Sequence, residues 1–405
     1  HEELGLLEDI PPQPVYLVAR PEPLQRLQQW FQRERCVAIC GLAGMGKSTL
    51  AATYAHSYER DHPVCWITLS PGVNGAPEAM LRQLALFVAA YAADPTRVTP
   101  FFRQPAAQEP AIPFPHQLML IAAGLGELDA PLLVFDDAHH IADDEQMLQT
   151  LQRLQHLAPA CRLLLITRSE LNLPGVLHLT LAGLAHTEER ALIQQLGWPL
   201  QSVAEQTVDE LLTRTAGSPM LIRLAISQLE QQAPIQLAVV GASLATYLVE
   251  TVLTQLDPAA RQALAFLSVW RGVVDLTDPQ LAELLGEELS GYEHAKAIAS
   301  LQRRRLIDHV AHATPHRLLR EPVLTTLNAQ PTQRRLLHQV AAKWAGLRGD
   351  WVEAAHHYGC AGDLQSACDV ITNQGAAPFQ LGQSVVAAAV VEEILTLARR
   401  RASVA

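Results

Sequence analysis

Residues Gly41-Leu42-Ala43-Gly44-Met45-Gly46-Lys47-Ser48-Thr49 set three glycines, one lysine and two hydroxyls at the spacing G-x-x-x-x-G-K-[ST]. Glycine lets the backbone curl until successive N–H groups converge on an anion. Lys47 adds a charge that can reach β- and γ-phosphates, and the Ser48 hydroxyl is a ligand for Mg²⁺. The predicted chemistry is binding of a nucleoside di- or triphosphate, with Gly44, Met45, Gly46, Lys47, Ser48 and Thr49 around the phosphate tail. Downstream, Pro131-Leu-Leu-Val-Phe-Asp136-Asp137 ends an apolar run in two acids. A phosphate loop needs such a partner. Asp136 is suited to hold the metal through water, and Asp137 to orient or deprotonate an attacking water. Leu164-Leu-Ile-Thr167-Arg168 closes another apolar run with a cation, and Arg168 at a strand tip can sense a γ-phosphate. His139 and His140 are adjacent, cannot share one helix face, and read as surface residues.

These residues must be held by a parallel sheet. Near-continuous apolar runs at 36–40, 63–69, 131–136 and 162–167, with a weaker one at 176–181, alternate with helical stretches. That pattern predicts strands covered on both faces. The run Cys36-Val-Ala-Ile-Cys40 leads into the loop, and Leu50 to Tyr58 continues from it as a helix. Leu24, Leu27, Trp30 and Phe31 repeat at helical spacing over 22–33. Between residues 95 and 115 stand six prolines, at 95, 100, 105, 110, 113 and 115, which predict an exposed loop. After about residue 186 helical periods take over, broken by Pro234 and by Thr277-Asp278-Pro279. A two-stranded element is expected at 306–320, pairing Leu306–Val310 with His316–Leu319. Gly349-Asp350 and Gly362-Asp363 each read as a helix stop followed by a helix start. They predict the opening of a repeat array longer than the two units present.

Composition limits the function classes. Of 405 residues 49% are hydrophobic and 18% charged, as in a core-forming globular chain. A formal net charge of −11 disfavours a dedicated nucleic-acid binder. Six cysteines without a C-x-x-C pair disfavour a metal or disulfide framework, so Cys36, Cys40, Cys65 and Cys161 are expected as reduced core residues in a cytoplasmic protein. No apolar run reaches the roughly 20 residues of a membrane span, and the first residues carry no signal peptide.

The set of motifs resembles the STAND class of signal-transduction ATPases, which includes NB-ARC proteins, and looks closest to the bacterial MalT-like branch. Val18-Ala19-Arg20-Pro21 stands where that family has a V-G-R-E element touching adenine. Gly217-Ser218-Pro219 matches its G-x-P motif, which contacts the base and the ADP side. His316-Arg317-Leu318-Leu319-Arg320-Glu321 resembles a winged-helix motif whose histidine reaches the β-phosphate of ADP. The resemblance implies a P-loop nucleotide-binding domain over 1–186, a helical domain over 187–240, a winged-helix domain over 241–330 and a TPR-like helical arm from 331. It implies ADP or ATP with Mg²⁺ as cofactors, with Val18, Arg20, Pro219 and His316 joining the nucleotide contacts. It also implies a switch: a monomeric ADP-bound resting form, opened by ATP exchange and an inducer acting on further sensor repeats, oligomeric in the ATP form, and reset by slow hydrolysis. Three alternatives are weighed: an AAA+ motor, which needs an arginine from a neighbouring subunit; a DNA-binding transcription regulator using Arg303-Arg304-Arg305 on the winged helix; and a small-molecule kinase, which would leave the helical extensions unexplained.

Overall fold

The computed structural model describes residues 10–69, 77–92, 98, 112–198, 205–230, 253, 256–270, 272–307, 309–315 and 317–373. They form two compact units that meet in the sequence between Gly183 and Leu184. The first is a parallel α/β domain with helices on both faces of its sheet. Its strands are β1 (Cys36–Cys40), β2 (Val64–Thr68), β3 (Leu132–Asp136), β4 (Arg162–Thr167) and β5 (Leu177–Thr180), in the order β2-β3-β4-β1-β5. Its helices are α1 (Pro21–Phe31), α2 (Lys47–Tyr58), α3 (Pro77–Tyr91), α4 (Phe114–Leu125) and α5 (Glu145–Leu157).

Strand alternation explains why both faces need helices. Cys36, Ala38 and Cys40 enter one apolar core with Phe87, Leu118 and Leu151, from α3, α4 and α5. Val37 and Ile39 enter the other with Leu27, Phe31, Leu50 and Tyr54, from α1 and α2. The buried thiols are poor nucleophiles: burial pushes Cys36 and Cys161 up to about 12 and Cys40 up to about 11. In the expected 95–115 loop, residues 95–97, 99 and 100–111 lie outside the described residues. Val98 is buried, and Phe114 and Pro115 open α4 rather than ending the loop.

The second unit is helical: α6 (His186–Gln195), α7 (Glu205–Thr215), α8 (Pro219–Glu230), α9 (Pro258–Val269), α10 (Pro279–Glu288), α11 (His294–Arg303), α12 (Arg317–Asn328), α13 (Pro331–Leu347), α14 (Trp351–Ala361) and α15 (Leu364–Asn373). Pro234 lies outside the described residues. The break read at Thr277-Asp278-Pro279 is a helix start: Asp278 caps α10, and its carboxylate also accepts from Trp344 Nε1 at 2.7 Å. The expected strand pairing of 306–310 with 316–319 is wrong. Arg317, Leu318 and Leu319 open α12, and the antiparallel bridge present joins Val274 to Ala313. A run as short as Arg-Leu-Leu does not reveal its period, and burial of Leu319 on a helix face decided it.

Both Gly-Asp pairs act as read. Gly349 and Gly362 take φ of +74° and +81°, while Asp350 and Asp363 accept from the N–H of Glu353 and Ser366, each at 3.1 Å. Each glycine closes the paired i→i−5 and i→i−3 bonds of a Schellman stop. α11 ends in the same two bonds, Leu306 N–H to Leu301 O and Arg305 N–H to Gln302 O, but with Arg305 at the left-handed position, φ +56°. Its side chain holds two elements together: Nη2 donates to Leu196 O and to Glu230 Oε1, both at 2.9 Å. Glycine at 305 would relieve a backbone cost of ~1–2 kcal/mol, yet lose two bonds of ~1–3 kcal/mol each, discounted because Glu230 is partly exposed. Arg305→Gly should therefore destabilise the second unit by about 1 kcal/mol, and Arg305→Ala, which keeps the strain, by about 2–3 kcal/mol. Urea unfolding of both variants checks the order; an alanine variant as stable as the glycine variant refutes it.

Candidate functional site

The site is built outside the carboxyl ends of the strands, where open α/β sheets place their ligands. β1 ends at Cys40 opposite Thr167 of β4, and Leu181 N–H, just past β5, donates to Cys40 O at 2.7 Å. The chain then enters the glycine loop. Gly41, Gly44 and Gly46 take φ of +151°, +81° and +84°, values that L side chains rarely adopt. A Cβ on Gly41 would stand 2.6 Å from Leu181 O, so glycine is also needed there for close approach. Gly46 is the residue before α2, so the loop's N–H groups meet the positive end of a 12-residue helix.

Lys47 Nζ curls back and donates to Gly41 O at 2.8 Å and Leu42 O at 2.9 Å, bracing the loop from inside. Burial pulls its pKa below the ordinary lysine value; Asp136 and Asp137 oppose that shift, and Arg168 adds to it. Ser48 Oγ donates to Asp136 Oδ1 at 3.1 Å, tying the first turn of α2 to the end of β3. Asp136 is fully buried, and the same Oδ1 accepts Asp137 N–H at 2.8 Å. Two hard oxygen donors thus converge, a donor set suited to Mg²⁺ completed by phosphate and water. Asp137 is half-buried in a left-handed conformation, φ +56°, that starts a 3₁₀ turn over Ala138–Ile141. Arg168 follows the tip of β4 and is exposed; the bond from Thr167 Oγ1 to Ser169 O, 2.8 Å, tightens that turn.

Lys47, Ser48, Asp136, Asp137 and Arg168 are therefore gathered at one end of one sheet, with Gly44, Met45, Gly46 and Thr49 in the loop and first helical turn. Val18 is half-buried and Arg20 sits against the loop: its Nη1 donates to Met45 O at 3.2 Å. Pro219 opens α8 in the second unit, and Gly217 O accepts Leu184 N–H at 2.8 Å. His316 lies outside the described residues. The reading of both 139 and 140 as surface residues needs correction. His140 is exposed, but the 3₁₀ turn folds His139 back to 14% exposure, with Nδ1 3.8 Å from Asp137 Oδ1. No sequence signal announces that turn, because it rests on the left-handed backbone of Asp137.

Residues 28–173 match a family model described as an AAA domain. No curated protein matches the chain. Among solved structures it is similar to a signal transduction ATPase with numerous domains (STAND) carrying a tetratricopeptide repeat sensor, from Pyrococcus horikoshii. The identity is 17% and the TM-score 0.63, covering 96% of this chain. The chain spans 59% of that protein's length. At 17% identity the likeness shows the fold alone. The Walker-type ATPase of Pyrococcus abyssi (13% identity, TM-score 0.40, 78% of this chain and 99% of that one) and the Orc1 protein of Aeropyrum pernix in complex with DNA (16%, 0.39, 80% and 96%) are more distant. No helix among the described residues is long and apolar enough to cross a membrane.

Proposed function

We propose that this chain is an adenine-nucleotide switch of the STAND type: ADP-bound and closed at rest, opened by exchange for ATP, and reset by slow hydrolysis. The observation that carries the proposal is the Lys47–Ser48–Asp136–Asp137 constellation at the strand ends, on a chain whose fold follows a STAND protein beyond the nucleotide domain. Lys47 would leave the carbonyls of Gly41 and Leu42 for β- and γ-phosphate oxygens. Ser48 and Asp136 would hold Mg²⁺, which when bound neutralises charge building on the phosphates. Asp137 would align the water whose oxygen forms the new bond to the γ-phosphorus as the bond to the β–γ bridging oxygen breaks, and accept its proton. Arg168 would sense the γ-phosphate. Pro219 and His316 would report the nucleotide to a helical and a winged-helix domain, continuing into a TPR-like arm, with the domain limits given above.

The energetics suffice. Taking a switch from 1:99 to 99:1 needs about 5.5 kcal/mol of differential affinity. Bonds to charged groups contribute roughly 1.5–3 kcal/mol each, so two or three made only to the γ-phosphate are enough. Arg305 is engaged within the second unit, which weighs against a DNA surface built on Arg303-Arg304-Arg305. The deciding experiment is to release and identify the nucleotide held by the purified chain. Firmly retained ADP is expected; a protein that binds neither ADP nor ATP sinks the proposal.

A further inference from the structure

Arg20 stands just before α1, between Ala19 and Pro21, and its guanidinium joins two segments far apart in sequence. Nη1 donates to Met45 O at 3.2 Å, while Nη2 donates to Ala182 O at 3.0 Å and Gly183 O at 3.1 Å. We propose that Arg20 is a positioning residue that sets the curvature of the phosphate loop, and that it acts on the phosphate tail whatever base the nucleotide carries. The inference rests on the nucleotide-loop reading above.

Peptide planarity is the first support. In a trans peptide the carbonyl and the following N–H point in opposite directions. Holding Met45 O on Arg20 therefore turns Gly46 N–H to the side away from the guanidinium. Met45 is flanked by Gly44 and Gly46, both left-handed, so its peptide has unusual freedom to rotate. An anchor on that one carbonyl removes the freedom before any ligand arrives, which is preorganisation.

The second support lies at the other end of the loop. Leu181 O stands so close to Gly41 that only glycine fits, and Leu181 N–H holds Cys40 O. The short stretch 181–183 after β5 thus braces the loop twice, by direct backbone approach at Gly41 and through Arg20 at Met45. Three carbonyls around one planar fork suit a guanidinium with five donors; a lysine ammonium cannot span them in the same geometry.

The test measures binding of Mg²⁺–ATP and of Mg²⁺–tripolyphosphate, which has no base or ribose, to the full chain by calorimetry. Arg20→Ala should weaken both ligands by the same factor, about 10- to 100-fold, and Arg20→Lys should restore little of it. Gly41→Ala, with Arg20 intact, should also weaken tripolyphosphate by loosening the second brace. If Arg20→Ala does not fold, as judged by circular dichroism, Arg20→Lys decides alone. Loss of ATP affinity with tripolyphosphate unchanged would place the guanidinium on the base or sugar and overturn the proposal. So would two unchanged affinities. If the wild-type chain binds neither ligand, the nucleotide-loop reading itself fails, and the role of Arg20 with it.

Discussion

Replacing Lys47 with alanine should lower the affinity for ATP and ADP by at least about 100-fold while leaving the fold intact. The ammonium is bonded to the loop carbonyls of Gly41 and Leu42 and is partly buried. Two charge-assisted bonds to phosphate at roughly 1.5–3 kcal/mol each correspond to about 10²–10⁴ in affinity. The proton balance gives a second reading of the same group. Burial holds the pKa of Lys47 below the ordinary lysine value, so the charged form is the less comfortable one in the free protein. Phosphate favours the charged form and raises that pKa. Binding should therefore take up protons, and affinity should fall as pH rises from the lowered free value to the raised bound one. Calorimetry in buffers of different ionisation enthalpy detects the uptake. Tight nucleotide binding by the Lys47→Ala protein would show that the loop is not the phosphate site.

Asp137→Asn should lower the hydrolysis rate by about 10²–10⁴-fold and change nucleotide affinity little. The substitution is chosen for its backbone. Asp137 sits at φ +56°, a region that asparagine tolerates better than most residues, so the 3₁₀ turn and its N–H bond to Asp136 can persist. What is lost is the carboxylate, and with it the proton acceptor beside His139. Single-turnover hydrolysis with saturating ATP separates this from a binding defect. A variant that hydrolyses at the wild-type rate would be incompatible with a catalytic Asp137.

Most of the first unit was legible in the chain itself, and the reasons are local. Cys36–Cys40, Leu132–Asp136 and Arg162–Thr167 are strands buried on both faces, so they read as unbroken apolar runs whose limits fall at polar or glycine residues. The loop was legible because its glycines, lysine and serine serve a single geometry. The less legible features arise from backbone conformations that ordinary residues adopt rarely. Asp137 and Arg305 are left-handed without being glycine, and neither the turn that brings His139 inward nor the stop at Arg305 has a sequence signature. Arg20 was expected beside the nucleotide because of a family motif, whereas its bonds to Ala182 and Gly183 bridge more than 160 positions, beyond any local pattern. The segment 317–319 was misread for a different reason: three residues are too few to show a period.

The order of the strands has a kinetic corollary. β4 lies between the strand that feeds the loop and the strand that ends in Asp136, so Arg168 emerges at a tip flanked by both, near enough for its charge to be felt at Lys47. If that guanidinium serves the γ-phosphate, that cation comes from the same chain as the loop. Turnover would then be first order in the polypeptide, and diluting the sample would leave the activity per molecule unchanged.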